Sequence, residues 1–533
     1  MTNANPSDLV HSTIHRTDTG LTGRAPMFSD ILALHGKWRA NKPALVDNGQ
    51  PISWAELDAS ANQVANALLA SGRTKGDVIA LLMQNGREMV EGLLGIAKAG
   101  MVSAPLNLSV TDEAIEAMIK DADAKGILTS SDQAIRLCSN KTIMELPLKV
   151  TCESNREIEN WMNWGDWLKE QSQQAPDCRL EPGDPFNIIY SSGTTGQPKG
   201  IVHTQQTRLD WAYDLSIALR YHGNSRTLCT LNLYSNIAWV QMMCTWLAGG
   251  TLYLLRNFDA GDVLTQIETH KISHTAMVPV QFQRLLDHKS AAQTDLSSMQ
   301  AMMSCGSPLH EELKARIFDR FSCGIIELYG LTEGVITTLE PEEIEGRLAS
   351  VGRPLIGTDL CLLDDNDQLC PIGQAGEILS RGRIVMPGYH NRSDANQQCT
   401  WIDPQGRAWL RTGDIGKLDA EGYLYIVDRK KDMILSGGQN IYPADIEAVL
   451  VEHAQVRDAA IIGIPSKDWG ETPIAWVEPK ADTKPDTDEI MEWLNQRVGK
   501  RQRIRAVYLI DTLPRNPNGK VLKRELRDIS TAG

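Results

Sequence analysis

Apolar positions along this chain change rhythm twice. As far as about Ser350, short unbroken apolar runs alternate with segments of helical period. "DVIALLM", "FNIIY", "GTLYLL", "HTAMVPV", "AMMSC" and "GIIELYG" read as buried strands, being short, apolar and bounded by turn formers. "SWAELDASANQVANALLASG", "AGDVLTQIETH", "VQFQRLLDH" and "HEELKARIF" repeat their apolar residues every three or four positions, the spacing of one helix face. Such alternation predicts parallel sheets covered by helices.

Beyond Ser350 the runs shorten and turn clusters crowd between them, as in "LLDDNDQL", "GEILSRG" and "LRTGDIGKLDAEGYLYIVDR". That texture predicts a small antiparallel barrel or sheet. Past Arg429 the pattern becomes helix "YPADIEAVLVEH", strands "VRDAAIIGIP" and "TPIAWVEP", helix "TDEIMEWLNQRV" and strand "AVYLIDTLP". The expected fold class is α/β. A large N-terminal domain of helix-covered sheets, with its barrel-like part, precedes a small α+β C-terminal domain. The boundary is placed at "DRKKD", giving domains 1–428 and 429–533 joined by a hinge at 428–432.

Composition narrows the function classes. At 533 residues the chain exceeds what one core supports. A net charge of −14 argues against nucleic acid as a partner. The C-terminal part balances its acids and bases, and concentrates its bases in "RVGKRQRIR" and "RNPNGKVLKRELR". Its ten cysteines show no CxxC or CxH spacing, so neither a zinc site nor a disulfide framework is indicated. The start, "MTNANPSDLVHSTIHR", lacks the apolar stretch of a signal peptide. No run approaches the roughly 18 apolar residues of a membrane span. A cytoplasmic enzyme without an integral membrane segment, monomer or homodimer, is expected.

Chemistry concentrates first in "YSSGTTGQPKG", Tyr190 to Gly200. Glycines and hydroxyls expose backbone N–H groups to an anion, and a lysine adds charge. The spacing is not that of a Walker loop, because Pro198 stands where the second glycine would be needed. No GxGxxG fingerprint follows a strand. Four further stretches accompany the loop in order: "ELYGLTEG" (Glu327 to Gly334), "RTGD" (Arg411 to Asp414, an acid beside a turn), "DRKKDMILSGGQNIYPADIE" (Asp428 to Glu447) and "LPRNPNGKVLKREL" (Leu513 to Leu526).

Together these five motifs resemble the adenylate-forming superfamily of acyl-CoA synthetases, aryl-acid CoA ligases, adenylation domains and luciferases, from about Phe28 to Arg527. The resemblance implies that a carboxylate attacks the α-phosphorus of ATP, pyrophosphate leaves, and the thiol of CoA then displaces AMP. It further implies that Ser191, Ser192, Gly193, Thr194, Thr195, Gly196 and Lys199 wrap the β- and γ-phosphates. Thr332 would touch the α-phosphate and Glu333 would hold Mg²⁺, a cation that prefers oxygen ligands. Gly306, Ser307 and Pro308 would border adenine and Tyr329 would stack on it. Asp414 would accept from both ribose hydroxyls, with Arg429 beside it. Lys431 matches the pivot, and Lys520 the lysine bridging carboxylate and α-phosphate. Ser436, Gly437 and Gly438 would line the pantetheine tunnel.

Relatives of the CoA-ligase branch often carry proline, an aromatic and histidine where this chain has Asn232, Tyr234 and Ser235. Tyr234, Ile237, Trp239, Met303, Cys305, Gly330 and Val335 are candidate acyl-pocket residues, each equally explicable as core. The set offers no base for a second carboxylate, which favours a neutral aryl, cyclic or medium-chain acid as substrate. Transfer to a carrier-protein pantetheine instead of free CoA, or a noncatalytic ligand-binding relative, stand as alternatives.

Overall fold

In this computed structural model the described residues are 25–152, 157–191, 199–436, 439–466, 469–481, 483–500, 502–516 and 519–532. The helix Trp54–Ala70 shows how local sequence starts an element. The Ser53 hydroxyl accepts from the Glu56 backbone N–H, and the Glu56 carboxylate accepts from that of Ser53, satisfying two donors at the helix start. Trp54, Leu57, Ala61, Val64, Ala65 and Leu68 then fall on its buried face. Next comes the strand Val78–Leu82, buried at every position, as expected of a strand covered on both faces.

Two large sheets organise the first part of the chain. One has eight strands, in the order Gly388–Tyr389, Lys199–Thr204, Pro185–Ser191, Val102–Pro105, Val78–Leu82, Gly126–Ser130, Lys149–Cys152 and Met162–Asn163. The other has nine, in the order Arg353–Pro354, Ile336–Leu339, Ile326–Gly330, Ala301–Ser304, His274–Met277, Arg226–Cys229, Thr251–Leu254, Pro43–Asp47 and Gln50–Ser53. Parallel pairing runs unbroken from Pro43–Asp47 to Ile326–Gly330 in the nine-stranded sheet. Helices such as Asn236–Ala248, Ala260–His270 and Pro279–Asp287 make the crossovers. One apolar cluster joins both sheets and includes Phe28, Trp54, Phe186, Trp239 and Trp246. Each such side chain, fully buried, contributes roughly 1.5–3 kcal/mol.

A five-stranded sheet follows, antiparallel throughout, made of Thr358–Leu363, Ala375–Gly382, Ala408–Leu418, Thr400–Ile402 and Leu424–Arg429. From Ile434 onward another five-stranded sheet forms, with strands Gln439–Ile441, Ile434–Ser436, Gly470–Pro479, Val456–Ser466 and Val507–Leu509. It has its own cluster of Ile446, Leu450, Ile461, Val477, Ile490 and Leu494. Among the described residues, no helix is long and apolar enough to cross a membrane.

Register positions the site. Met277 and Ser304, the last residues of their strands, stand opposite each other, and Ser304 stands opposite Glu327, so the neighbouring parallel strand runs on past both to Gly330. Their following turns open at the carboxyl edge of the sheet, where open α/β sheets bind ligands.

Gly352 is the tightest point between the nine-stranded sheet and the antiparallel one. It has φ +84°, and a Cβ there would lie 1.8 Å from the Thr338 carbonyl oxygen. Its own carbonyl accepts from Leu424 N at 2.8 Å. Gly352→Ala is therefore expected to destabilise the fold by roughly 3 kcal/mol or more, through combined strain and clash. Chemical denaturation checks it, and a change below about 1 kcal/mol would contradict the geometry.

Candidate active site

The site begins at a hairpin. Ser191 and Lys199 end and begin two antiparallel strands and stand opposite each other in register, so the loop between them starts and finishes at one place. Ser192, Gly193, Thr194, Thr195 and Gly196 lie outside the described residues. The Lys199 ammonium sits over the Tyr389 ring, 5.2 Å from its centroid. Tyr389 in turn donates from its hydroxyl to Glu333 Oε1 at 2.9 Å. Its short strand pairs with the Lys199 strand, Tyr389 facing Ile201. Tyr389 thus joins the phosphate-loop hairpin to Glu333, and no motif in the sequence singled it out.

Glu333 is held from both ends. Its carbonyl accepts from Met386 N at 2.8 Å. The next residue, Gly334, has φ +119°, and a Cβ would come within 2.5 Å of the Ile384 carbonyl oxygen, so only glycine passes there. Burial raises the Glu333 carboxyl above the usual carboxylate range, against the hydrogen bond from Tyr389. A carboxylate so enclosed is stabilised by a cation.

Across the cleft, Tyr329 ends the strand Ile326–Gly330 and donates to Asp414 Oδ2 at 2.7 Å. Burial and the Asp414 charge push the Tyr329 phenol well up, so it remains a donor. Asp414 does not adjoin a turn, as "RTGD" had suggested. It lies within the strand Ala408–Leu418, where Gly413 at φ +70° supplies a local kink, and it faces Arg429 in register. Arg429 Nε is 2.8 Å from Asp414 Oδ1, yet among the described residues that oxygen has no partner in hydrogen-bond geometry. The contact is an ion pair whose angle is poor for a hydrogen bond, which leaves a buried acceptor open to a hydroxyl donor.

Gly306, Ser307 and Pro308 form the turn after the strand Ala301–Ser304. A C-terminal turn seats close to it, since a Cβ on Gly519 would lie 3.9 Å from both Ser307 Oγ and Val280 Cγ1. Within that turn, Lys520 N donates to Asn516 Oδ1 at 2.9 Å. Lys520 is brought beside Arg429 and Asp414. Its ammonium is lowered to about 7, first by burial and then by the Arg429 charge, with Asp414 opposing.

The segment 428–432 is tied on both sides. Asp428 Oδ2 accepts from Ala444 N at 3.0 Å. Buried Glu377 takes both Arg411 (2.7 Å) and Lys430 (2.9 Å) on Oε2. Lys431 stands exposed between them and Asp432, which pairs with Arg527 at 3.1 Å. Glu377 was also invisible in the sequence.

The acyl candidates divide by exposure. Tyr234, Ile237 and Gly330 are accessible, whereas Met303, Cys305 and Val335 are buried. Burial pushes the Cys305 thiol up to about 12, leaving it protonated and unreactive. Trp239 turns into the core, donating to the Leu233 carbonyl at 2.7 Å and meeting the Phe186 ring edge-on. One turn beyond Ile237, Gln241 donates to the Leu228 and Ala276 carbonyls, and its buried Oε1 has no partner among the described residues. Ser235 is the N-cap residue of Asn236–Ala248. Ser436 pairs with Gly470, and Gly437 and Gly438 lie outside the described residues.

Comparison with known proteins adds the family. Residues 34–390 match the AMP-binding enzyme family and 445–520 the AMP-binding enzyme C-terminal domain. A feruloyl-CoA synthase of an Amycolatopsis species is 30% identical over 491 residues, 91% of this chain and 95% of that protein. A long-chain-fatty-acid–CoA ligase of Mycobacterium tuberculosis is 31% identical over 487 residues, covering 90% and 93%. Among solved structures, ATP-bound MatB from Rhodopseudomonas palustris has a TM-score of 0.85 at 26% identity, covering 95% of this chain and 99% of that one. The o-succinylbenzoate CoA synthetase of Bacillus subtilis, in complex with its acyl-adenylate OSB-AMP, has a TM-score of 0.80 at 28% identity, covering 93% and 98%. Two family models that between them span most of the chain, and relatives aligned over nearly its whole length, place it in the AMP-binding enzyme family, on the branch of the acyl-CoA ligases.

Proposed function

We propose that this chain is an AMP-forming acid–CoA ligase acting on a neutral aryl, cyclic or medium-chain acid. One observation carries the assignment of roles: Lys520, from the C-terminal part, feels the charges of Asp414 in the main body and of Arg429 in the hinge. Three cationic side chains, Lys199, Arg429 and Lys520, thus border a cleft that also holds Tyr329, Glu333 and Asp414. The arrangement suits two anions that must meet, where positioning and charge neutralisation supply the catalysis.

In this reading the unpaired Asp414 Oδ1 and its neighbour oxygen receive the ribose hydroxyls, Tyr329 lies against adenine and Thr332 addresses the α-phosphate. The 192–198 loop and Lys199 hold the departing pyrophosphate. Glu333 suits Mg²⁺, which takes one or two protein carboxylates together with phosphate oxygens. Lys520 bridges the acyl carboxylate and the α-phosphate while the carboxylate oxygen attacks phosphorus. The thiolate sulfur then attacks the acyl carbon and AMP leaves. Both Lys520 and the 436–438 segment lie beyond the 428–432 hinge, so one domain, 429–533, would present each in turn to the body, 1–428. Tyr234, Ile237, Met303, Cys305, Gly330 and Val335 would surround the acyl group, with Trp239 behind them.

Assay of the separate half-reactions tests the division of labour. Lys520→Ala should slow acyl-AMP formation by about 10²- to 10³-fold, the scale of losing one charge-stabilising donor, yet still turn supplied acyl-AMP and CoA into thioester. Gly438→Leu should do the reverse. Equal damage to both halves by both variants would sink the alternating scheme.

Glu333→Gln keeps the size and the Tyr389 contact but removes the charge. It should raise the Mg²⁺ concentration needed for half-maximal pyrophosphate exchange by about tenfold or more, while the melting temperature holds. An unchanged Mg²⁺ dependence would remove Glu333 from the site.

The amine of Lys520 carries a pH signature. Its closed-state value of about 7 lies below the ordinary 10.5, so closure without nucleotide favours the neutral amine. Stability of that closed form is full at high pH, and declines as pH falls from 10.5 toward 7. ATP phosphates should raise the value again. Competitive acylation of lysines across pH should find Lys520 titrating well below its neighbours in the free enzyme and moving up with Mg·ATP. No movement would argue that Lys520 does not face the phosphates.

A further inference from the structure

Beneath Thr332 runs a buried polar chain that the assigned roles leave unused. Asn187 lies on the strand entering the phosphate loop and His203 on the strand leaving it, and the two are opposed in register. Arg208 follows on the helix Gln205–Ala218. Asn187 and Arg208 are fully buried and His203 is 3% exposed.

The direction of each hydrogen bond is forced by the one before it. Arginine can only donate, so Arg208 Nε–H gives to Asn187 Oδ1 at 2.7 Å. That fixes the asparagine amide, whose Nδ2 then faces His203 Nδ1 at 3.4 Å and donates to it. With Nδ1 accepting, the imidazole proton sits on Nε2, which donates to the Thr332 carbonyl at 2.8 Å. Burial and the Arg208 charge both disfavour a second proton on the ring.

Arg208 explains itself only as the origin of this chain. Its two amino groups have no hydrogen-bond partner among the described residues. The cation lies instead between two indoles, 4.8 Å from the Trp211 ring and 5.0 Å from that of Trp239. A buried cation without a carboxylate is a poor device for stability. It is an effective one for orientation, since it is the member of the chain that cannot accept.

We propose that Arg208, Asn187 and His203 form a relay that clamps the Thr332 carbonyl to the two strands carrying the phosphate loop, making His203 a positioning residue for ATP. The relay acts from below, while Tyr389 and Met386 hold Glu333 from the other side. The strands Pro185–Ser191 and Lys199–Thr204 and the Thr332 backbone thereby keep one spacing before nucleotide arrives. The inference rests on the reading of Thr332 as a phosphate contact.

The test uses the full chain and direct binding, with Mg·ATP and adenosine as probes and no acid substrate. His203→Leu should weaken Mg·ATP about tenfold, the equivalent of one buried hydrogen bond, and leave adenosine unchanged. His203→Gln, which retains a donor toward Thr332, should recover most of that loss. Arg208→Met separates positioning from stability. It removes an unpaired buried charge, so its melting temperature should hold or rise, yet it should weaken Mg·ATP because Asn187 is no longer oriented. It also serves if His203→Leu does not fold. The double variant Arg208→Met/His203→Leu should be no weaker than His203→Leu alone. Wild-type Mg·ATP affinity in folded His203→Leu or Arg208→Met, or additive losses in the double variant, overturns the relay. Thr332→Ala distinguishes the two readings: if it alone binds Mg·ATP as wild type does, the role of Thr332 fails and the clamp acts on the segment as a whole.

Discussion

The burial of basic groups held close together is the constraint on which the rest of this structure depends. Lys520 approaches Arg429, and the pair faces Asp414 as its main counter-charge. Taking an ammonium out of water beside a guanidinium is unfavourable, which is why the Lys520 amine falls to about 7. An anion bound beside the pair would relieve that cost.

The scaffold turns this electrostatic preference into geometry. Parallel pairing of neighbouring strands brings the turns after Ser304 and Gly330 to one edge. The antiparallel sheet contributes Asp414 and Arg429 as a cross-strand pair, so their spacing follows from the ladder itself. A third sheet edge, at Gly388–Tyr389, carries the tyrosine that links Glu333 to Lys199. Glycines at Gly334 and Gly352 let these layers approach more closely than any side chain would permit.

Much of this was legible in the linear text. The strand runs "FNIIY", "HTAMVPV", "AMMSC" and "GIIELYG" became Pro185–Ser191, His274–Met277, Ala301–Ser304 and Ile326–Gly330, because buried strands and amphipathic helices write their periods locally. Tyr329, Asp414, Arg429 and Lys520 were named through short motifs, and they meet in space. The turn expected at "RTGD" is instead a kinked strand, since pairing on both sides outweighs the turn propensity of one glycine. Tyr389, Glu377, Asn187, His203 and Arg208 carried no signal. Each works through partners separated from it in sequence, as Tyr389 does with Glu333 or His203 with Thr332, and no spacing rule reaches across such distances.

Sequence alone therefore determined the order of elements, the α/β class and the family that the motifs spell out. These are properties of neighbouring residues and of their periodic exposure to water or core. Tertiary structure alone decided which strand edges align, which acceptor at Asp414 stays unpaired, and how Arg208 dictates the tautomer of His203. Those outcomes depend on packing among segments remote in the chain, where burial removes water as an alternative partner and every donor must find its acceptor within the fold.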